Sequence, residues 1–268
     1  MIEFCTHHKD RKIIELSGKD KVNFLQGLLT QDVHLLETQA IIYALMLSPQ
    51  GRFQFELFVV YVDENLWLLD VEAEHASAML KKLQMFKLRS DVGLCISNEW
   101  QVGVSTNITS SEIAVVDSRL SEMGYRFYQK NSINFSAEAF DNYHNLRLSL
   151  TVPEGSKDMI IDKSIPLEWN METLNAISWT KGCYMGQELT ARTKHVGALR
   201  KNIFTVNFSK PGNYLKGCSL IQGDKTVGVL GSSSTNMGIA LIHFDALNNA
   251  EKILLADTDC YIKIARAN

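Results

Sequence analysis

The residues best suited to chemistry stand together in residues 181–201, KGCYMGQELTARTKHVGALRK. Gly182 and Gly186 flank Cys183-Tyr184-Met185, and because glycine lacks a Cβ, the backbone at these two positions can take a positive φ or allow a close approach. The sequence from Gln187 onward is compatible with a helix, so Cys183 should lie just before a helix N-terminus, with Lys181 two residues upstream. The helix N-terminus and the Lys181 ammonium both favour the thiolate, which is the form of cysteine that attacks electrophiles or binds metals.

The predicted helix also places a carboxylate and a guanidinium on one face. Glu188 and Arg192 are four residues apart, a spacing that lets the acid hold the guanidinium in place for a third group. A purely structural interpretation is open as well, in which a tight turn carries a small buried cysteine and an ordinary surface ion pair. The residue types alone do not decide between the two.

Three segments of the chain match the pattern of a known family. Lys-Gly-Cys-Tyr-x-Gly-Gln-Glu, followed by x-x-Ala-Arg and then by a glycine and an Arg-Lys pair, resembles the signature of the YgfZ proteins. These are the folate-binding, iron–sulfur cluster maturation branch of the aminomethyltransferase (glycine-cleavage T-protein) superfamily. Every fixed position of the signature is filled here, and the segments GKDKVNFLQGLLTQDV (residues 18–33) and SPQGRF (residues 48–53) resemble the opening of the same family.

This resemblance implies a tetrahydrofolate-binding protein that assists the assembly or repair of iron–sulfur clusters in client enzymes. Cys183 would be its functional residue, as a nucleophile, a redox thiol or a transient cluster ligand. The implied cofactor is tetrahydrofolate or a derivative, and the implied partners are iron–sulfur client enzymes or assembly proteins. Such a maturation factor need not be an enzyme, and we expect a monomer.

The main alternative is a folate-dependent one-carbon (aminomethyl) transferase. T-proteins carry a Thr-Gly-Tyr-Thr-Gly-Glu element and an Asp-Asp pair soon after their first hairpin turn, whereas the comparable stretches here are SEMGYR (residues 121–126) and QFEL (residues 54–57). Only Glu56 stands near the position of the acid pair, and T-proteins lack the Lys-Gly-Cys signature. The sequence therefore favours the maturation factor over the transferase. A third possibility is an interaction scaffold in which the folate pocket is vestigial.

A folate site needs an acid for the donor edge of the pterin, apolar or aromatic walls, and cations for the carboxylates of the tail. In the family, a leucine-arginine element and a proline-x-glutamate element line the folate pocket, and Arg147 and Glu168 match them; Trp169 is a further candidate for a wall. The candidate folate-binding residues are Arg147, Glu168, Lys181, Tyr184, Glu188 and Arg192. The motif is supported by Gly182, Gly186 and Gln187.

Composition limits the other classes of function. The net charge of -3, with its cations spread along the chain, argues against a nucleic-acid partner. No apolar run of about 18 residues favours a membrane span, and the first residues lack the pattern of a signal or transit peptide, so we expect a cytoplasmic protein, or a mitochondrial matrix protein if a leader has been removed.

The cysteines are odd in number and scattered, which predicts neither a disulfide framework nor a metal site. Four of them should be structural: Cys5, Cys95, Cys218 and Cys260.

Hydrophobic periodicity predicts an α+β fold for the first part of the chain. Residues 12–16 should form a strand, residues 20–29 a helix, and residues 41–47 and 52–62 a hairpin. A strand at residues 66–71, an amphipathic helix from Ala76 to Phe86 and a strand at residues 92–96 should follow. This order is typical of a mostly antiparallel sheet with helices on one face, and it agrees with the aminomethyltransferase-like fold that the resemblance implies.

The remaining chain predicts a second α+β half and a small barrel. Strands are expected at residues 102–105, 113–116 and 125–128, and Ser136 is a suitable N-cap for a helix. Short strands at residues 203–208, 217–221, 226–230, 237–241 and 261–265 predict a closed C-terminal β-barrel. We therefore expect a folate-binding region at residues 1–197, with halves of about 1–97 and 98–197, and a barrel domain at residues 198–268.

Overall fold

Two antiparallel sheets and one closed barrel make up the protein, and the computed structural model describes residues 3–197 and 199–266. The strands before the barrel are β1 (Cys5–His7), β2 (Arg11–Ser17), β3 (Ile41–Leu47), β4 (Phe53–Tyr61), β5 (Leu66–Glu72), β6 (Gly93–Ile96), β7 (Gln101–Ser105), β8 (Ile113–Val116) and β9 (Tyr125–Gln129). The helices are α1 (Lys21–Gln26), α2 (Ala76–Lys87), α3 (Ala137–Ser149), α4 (Gly155–Asp158) and α5 (Gln187–His195), with α6 (Phe244–Leu247) inside the barrel sequence. The predicted α+β architecture is confirmed.

The five-stranded sheet has the order β3-β4-β5-β2-β6 and separates two hydrophobic cores. Every residue of β3 is buried, and because successive side chains of a strand point to opposite faces, Tyr43 and Leu45 pack in one core while Ala44 and Met46 pack in the other. The second core also holds the apolar residues of α1 and α2. Both helices therefore cover one face of the sheet, as predicted.

Helix α1 is shorter than predicted. It ends at Gln26 instead of Leu29, and the chain then turns through residues 27–31 before a 3-10 helix at Val33–Glu37. The backbone carbonyls that this early end leaves free are bonded by a distant part of the chain, as described below. Strand β1, which the sequence analysis missed, pairs with β7 in the four-stranded sheet β1-β7-β9-β8.

The barrel is closed as predicted, although one of its six strands, Ile253–Leu255, was not predicted. Its strands are β10 (Lys201–Phe208), β11 (Ser219–Gln222), β12 (Lys225–Ser233), β13 (Met237–His243), β14 (Ile253–Leu255) and β15 (Tyr261–Arg266). Strand β10 pairs with both β13 and β15, which closes the barrel. The expected domain division after residue 197 falls next to Ala198, which lies outside the described residues, and it remains a prediction. Across residues 3–197 and 199–266, none of the helices has the length and apolar character that a bilayer crossing requires.

Charged side chains are buried where the two sheets meet. Arg11 of β2 donates from Nε to Asp70 Oδ1 and from Nη1 to Glu56 Oε1, at 2.6 Å in both cases. Arg126 of β9, in the other sheet, donates from Nη2 to Asp70 Oδ2 at 2.5 Å. Burial opposes ionisation of Asp70, but Arg11 and Arg126 outweigh it and lower the pKa of Asp70 to about 2. The ion pairs thus join the sheets through one carboxylate.

A buried histidine continues these polar contacts toward α4. His8 Nε2 lies 2.7 Å from Glu154 Oε1, while its Nδ1 has no hydrogen-bond partner among the described residues. A neutral ring with its proton on Nε2 fits this environment, because a second N–H would be buried without an acceptor. Burial lowers the pKa of His8, although Glu154 opposes the shift.

The sign of the pKa shift of His8 predicts a loss of stability in mild acid. Because folding lowers this pKa below its ordinary value of 6.5, the unfolded chain binds a proton at a pH where the folded chain does not, and the free energy of unfolding falls as the pH drops below 6.5. His8→Gln should remove about 1–2 kcal/mol of the decrease between pH 7 and pH 5, measured by urea denaturation. His34→Gln, at an exposed histidine, should keep the wild-type decrease; identical profiles for His8→Gln and the wild type would contradict the assignment.

Candidate functional site

Residues 181–186, here called the thiol loop, present one thiol to solvent between buried neighbours. Cys183 is exposed, whereas Lys181 and Tyr184 are buried. Helix α5 begins at Gln187, directly after the loop, so the predicted position of Cys183 before a helix N-terminus is confirmed. Gln187 closes the loop, because its Oε1 accepts a hydrogen bond from the Tyr184 backbone N–H at 3.3 Å.

The ammonium of Lys181 points away from any open surface. Its Nζ donates to the backbone carbonyls of Gln26, Leu29 and Gln31 at 2.8, 2.8 and 2.9 Å. An ammonium has three N–H donors, and all three are used. Burial lowers the pKa of Lys181 to about 8, while the carboxylate of Asp32 favours the charged form. The expectation that Lys181 binds a ligand carboxylate is therefore not met by this geometry.

Tyr184 belongs to the hydrophobic core and not to the wall of an open cavity. Its ring packs in the core between the sheets, with the Lys181 ammonium 5.4 Å from the ring centroid. The hydroxyl is buried and has no hydrogen-bond partner in residues 3–197 or 199–266. Burial raises the pKa of Tyr184 to about 12. Its role in the structure is to anchor the chain immediately after Cys183.

Glu188 and Arg192 lie on the exposed face of α5, one turn apart. In the part of the chain that the structure describes, no ion pair within 4.0 Å joins them. The predicted pairing of these two side chains is therefore wrong, because both are solvated and nothing fixes their long side chains. Neither residue lines the cavity that contains Glu168.

Arg147 is fully buried and held by other residues of its own region. Its Nη1 donates to Asp158 Oδ2 at 2.9 Å and to the Val152 carbonyl at 3.2 Å, and its Nε donates to His144 Nδ1 at 3.3 Å. Arg147 borders a cleft of about 830 Å³ between α3 and the barrel loops, separate from the cavity that holds Glu168. The two residues that match the family's folate elements thus face different cavities.

Glu168 lies in a cavity of about 200 Å³, here called the Glu168 cleft, formed jointly by the first region and the barrel. Burial raises the pKa of Glu168, and Lys201, whose Nζ is 3.5 Å from Glu168 Oε2, opposes the shift. Trp169 also lines the cleft, and its Nε1 has no hydrogen-bond partner among the described residues. An acid, an indole ring and cations therefore line one cavity.

The sequence analysis missed the cations of this cleft. Arg52, Lys201 and Lys216 line it together with apolar barrel residues such as Leu241. Arg52 stands within the SPQGRF segment that already carried the resemblance, so that segment was an available signal. Lys201 likewise ends the Arg-Lys pair of the signature, whereas no local pattern marks Lys216, a barrel residue that only the tertiary fold brings to Glu168.

Exposure does not single out Cys183 among the cysteines. Cys5 and Cys95 are exposed as well, Cys218 is partly buried and Cys260 is buried. Cys95 differs from Cys183 in its surroundings, because partial burial and the carboxylate of Glu15 raise its pKa. What distinguishes Cys183 is that its loop is held by the buried residues Lys181 and Tyr184. Within the described ranges, no group of three or more His, Cys, Asp or Glu side chains has the arrangement of a metal site.

The comparisons with known proteins agree with this arrangement. Residues 200–266 match the family model described as "CAF17, C-terminal beta-barrel domain". The chain is 31% identical over 232 residues to a protein of Mycosarcoma maydis and 32% identical over 225 residues to one of Neurospora crassa, each named "Iron-sulfur cluster assembly factor IBA57 homolog, mitochondrial". These alignments cover 75% and 72% of this chain but only 56% and 51% of those proteins, so the chain spans about half of their length.

A human protein and a solved structure extend the comparison. The human "Iron-sulfur cluster assembly factor IBA57, mitochondrial" is 29% identical over 273 residues, which cover 89% of this chain and 77% of that protein. The crystal structure of the glycine cleavage system aminomethyltransferase T from Bartonella henselae superposes with a TM-score of 0.74 at 13% identity, covering 97% of this chain and 84% of that one. The aminomethyltransferase-like fold with a C-terminal barrel is thereby confirmed.

The two glycines around Cys183 should differ in their tolerance of a side chain. Gly186 has a φ of +84°, and a Cβ there would lie 2.6 Å from the Ser48 carbonyl oxygen, whereas a Cβ at Gly182 would meet nothing within 4 Å. Gly186→Ala should therefore lower the free energy of unfolding by about 2 kcal/mol or more, and Gly182→Ala by less than about 0.5 kcal/mol. Urea denaturation of both variants tests this, and equal losses would show that the close approach at Gly186 is not required.

Proposed function

Because this chain belongs to the IBA57/CAF17 family, in agreement with the YgfZ resemblance of its motifs, we propose that it acts in iron–sulfur cluster assembly through Cys183. The observation that carries the proposal is the thiol loop. Its signature motif places one exposed thiol between two buried anchors, Lys181 and Tyr184. A fixed, accessible thiol is what a protein needs in order to present sulfur chemistry to another macromolecule.

The surroundings of Cys183 indicate that it works together with a partner protein. Iron–sulfur clusters are held by four ligands, mainly cysteine thiolates, and the described chain offers no group of three or more His, Cys, Asp or Glu side chains arranged to bind a metal. If Cys183 binds a cluster, the other ligands come from a partner protein. If it acts as a nucleophile or redox thiol, its exposure still directs it toward a client or an assembly protein.

The alternative of aminomethyl transfer is less well supported. The position nearest to the T-protein acid pair is Glu56, and its carboxylate is buried and bonded to both Arg11 and the Tyr43 hydroxyl. A buried carboxylate with one oxygen bonded by a guanidinium and the other by a phenol is not placed to take a proton from a substrate. Its contacts within the five-stranded sheet thus withdraw this acid from chemistry.

Folate binding is the finer part of the proposal, and the Glu168 cleft supports it for one end of the molecule. Its volume of about 200 Å³ is below the range of about 300–1,000 Å³ for sites that enclose a whole small ligand. The cleft suits a pterin ring: Glu168 can accept from its donor edge, and Trp169 and Leu241 supply apolar walls.

The relatives bear on the compartment. The most similar proteins named above are all called mitochondrial, which favours the mitochondrial matrix over the cytoplasm that composition suggested. We therefore propose a mitochondrial place of action. The partners we propose are iron–sulfur client enzymes or assembly proteins.

The role of Cys183 can be tested by complementation in cells that lack their own protein of this family. Cys183→Ser keeps the size of the side chain and should leave folding intact, but the activity of iron–sulfur enzymes should fall to the level of the empty vector because the thiol is lost. Cys5→Ser and Cys95→Ser remove equally exposed thiols and should complement fully. Full complementation by Cys183→Ser would refute the proposal.

The folate site can be tested by calorimetry with tetrahydrofolate. Glu168→Gln removes the acceptor charge in the cleft and should weaken binding about tenfold or more, because a hydrogen bond to a charged group contributes about 1.5–3 kcal/mol. Glu188→Gln, at the exposed acid of α5, should bind like the wild type. If both substitutions leave the binding heat unchanged, or if the wild type gives neither heat nor a thermal shift at millimolar ligand, the cleft is not a folate site.

A further inference from the structure

Two sequence segments that separately resembled the same family form one structural unit. The first is residues 26–31, here called the exit segment, through which the chain leaves α1 toward β3. The second is residues 178–185, which contain most of the thiol loop. The two are about 150 residues apart in the sequence, yet the exit segment accepts most of the hydrogen bonds that hold the chain on either side of Cys183.

The side chain of Lys181 is the central contact between these segments. The last turn of a helix leaves backbone carbonyls without partners inside the helix. The early end of α1 leaves such a group at Gln26, and the carbonyl of Leu29 lies in the turn that follows. The Lys181 ammonium binds both of these carbonyls and that of Gln31, each within 2.9 Å. Its positive charge also suits the negative end of the helix dipole.

Backbone hydrogen bonds fasten the chain before and after this side chain. The Ser178 N–H donates to the Thr30 carbonyl at 3.0 Å, and the Met185 N–H donates to the Gly27 carbonyl at 3.1 Å. Attachments at residues 178, 181 and 185 therefore bracket Cys183 on both sides. The residue between the last two attachments that reaches solvent with a reactive atom is Cys183.

The exit segment is itself fixed to the central sheet. Thr30 exchanges hydrogen bonds with Leu45 of β3: its N–H donates to the Leu45 carbonyl at 3.0 Å, and its Oγ1 accepts from the Leu45 N–H at 2.8 Å. The side chain of Gln26 bonds to Asp32 and to the Val33 backbone at 2.9 Å. Through Thr30, the thiol loop is thus attached to β3, a strand in which every residue is buried.

We propose that Lys181 is the positioning residue of Cys183, a role that rests on the function proposed above for this thiol. Its ammonium holds the thiol loop on the exit segment, so that the thiol stays at one place on the surface when a partner approaches. Lysine suits the position because a compact ammonium can direct three donors to convergent carbonyls, whereas the planar guanidinium of arginine cannot. A role in binding a ligand anion is disfavoured, because every N–H of the ammonium already has an acceptor.

Hydrogen exchange combined with complementation separates positioning from general stabilisation. In Lys181→Met, the Met185 and Ser178 amides should exchange about tenfold faster or more, because local opening of the loop becomes easier. Amides of β3 and β4 should exchange at the wild-type rate, and iron–sulfur enzyme activity should fall although the protein remains folded by circular dichroism. Lys194→Met, which removes an exposed lysine of α5, is the matched control and should change neither measurement.

A second variant keeps the charge and changes only its geometry. Lys181→Arg should behave like Lys181→Met in both measurements if three convergent carbonyls are what matters. Wild-type exchange at Met185 in either variant, or wild-type complementation by either, would overturn the proposal. Should Cys183→Ser complement fully while Lys181→Met still speeds exchange at Met185, the function proposed for Cys183 fails but the anchoring contact stands.

Discussion

The structure depends on a small set of paired charges buried between its two sheets. Asp70 bonds to Arg11 of its own sheet and to Arg126 of the other, and Arg126 also lies 4.0 Å from the centroid of the Phe58 ring. A buried ion pair is tolerated only while each charge keeps its partner, since removing one leaves the other desolvated and alone. The position of one sheet relative to the other is therefore tightly specified, and these side chains occupy the space between the sheets.

A filled centre moves the chemically available groups to the margins of the fold. The thiol of Cys183 is carried by the thiol loop, which directly precedes α5 and packs on the exit segment after α1. The acid Glu168 lies where the first region meets the barrel. The aminomethyltransferase-like fold is thus used here to support two peripheral features. One of them suits contact with another protein, and the other suits one end of a small ligand.

Much of the fold could be predicted because its signals are local. The apolar strand β3, the helical spacing from Ala76 to Phe86 and five of the six barrel strands appear as predicted. The end of α1 did not, because the helical pattern continues to Leu29 while the carbonyls of Gln26 and Leu29 accept hydrogen bonds from the Lys181 ammonium. A distant lysine overrides a local preference when it satisfies several backbone groups at once.

By itself, the sequence determined the fold class, the family and the thiol that stands before α5, because these depend on periodicity and on near-contiguous motifs. Only the tertiary structure decided which candidate residues share a site. Arg147, Lys181 and Glu188 have residue types that suit a folate equally well, yet one is buried among carboxylates, one binds backbone carbonyls and one is solvated. Residue type states what a group can bind, whereas its partners in the fold decide whether that capacity is still free.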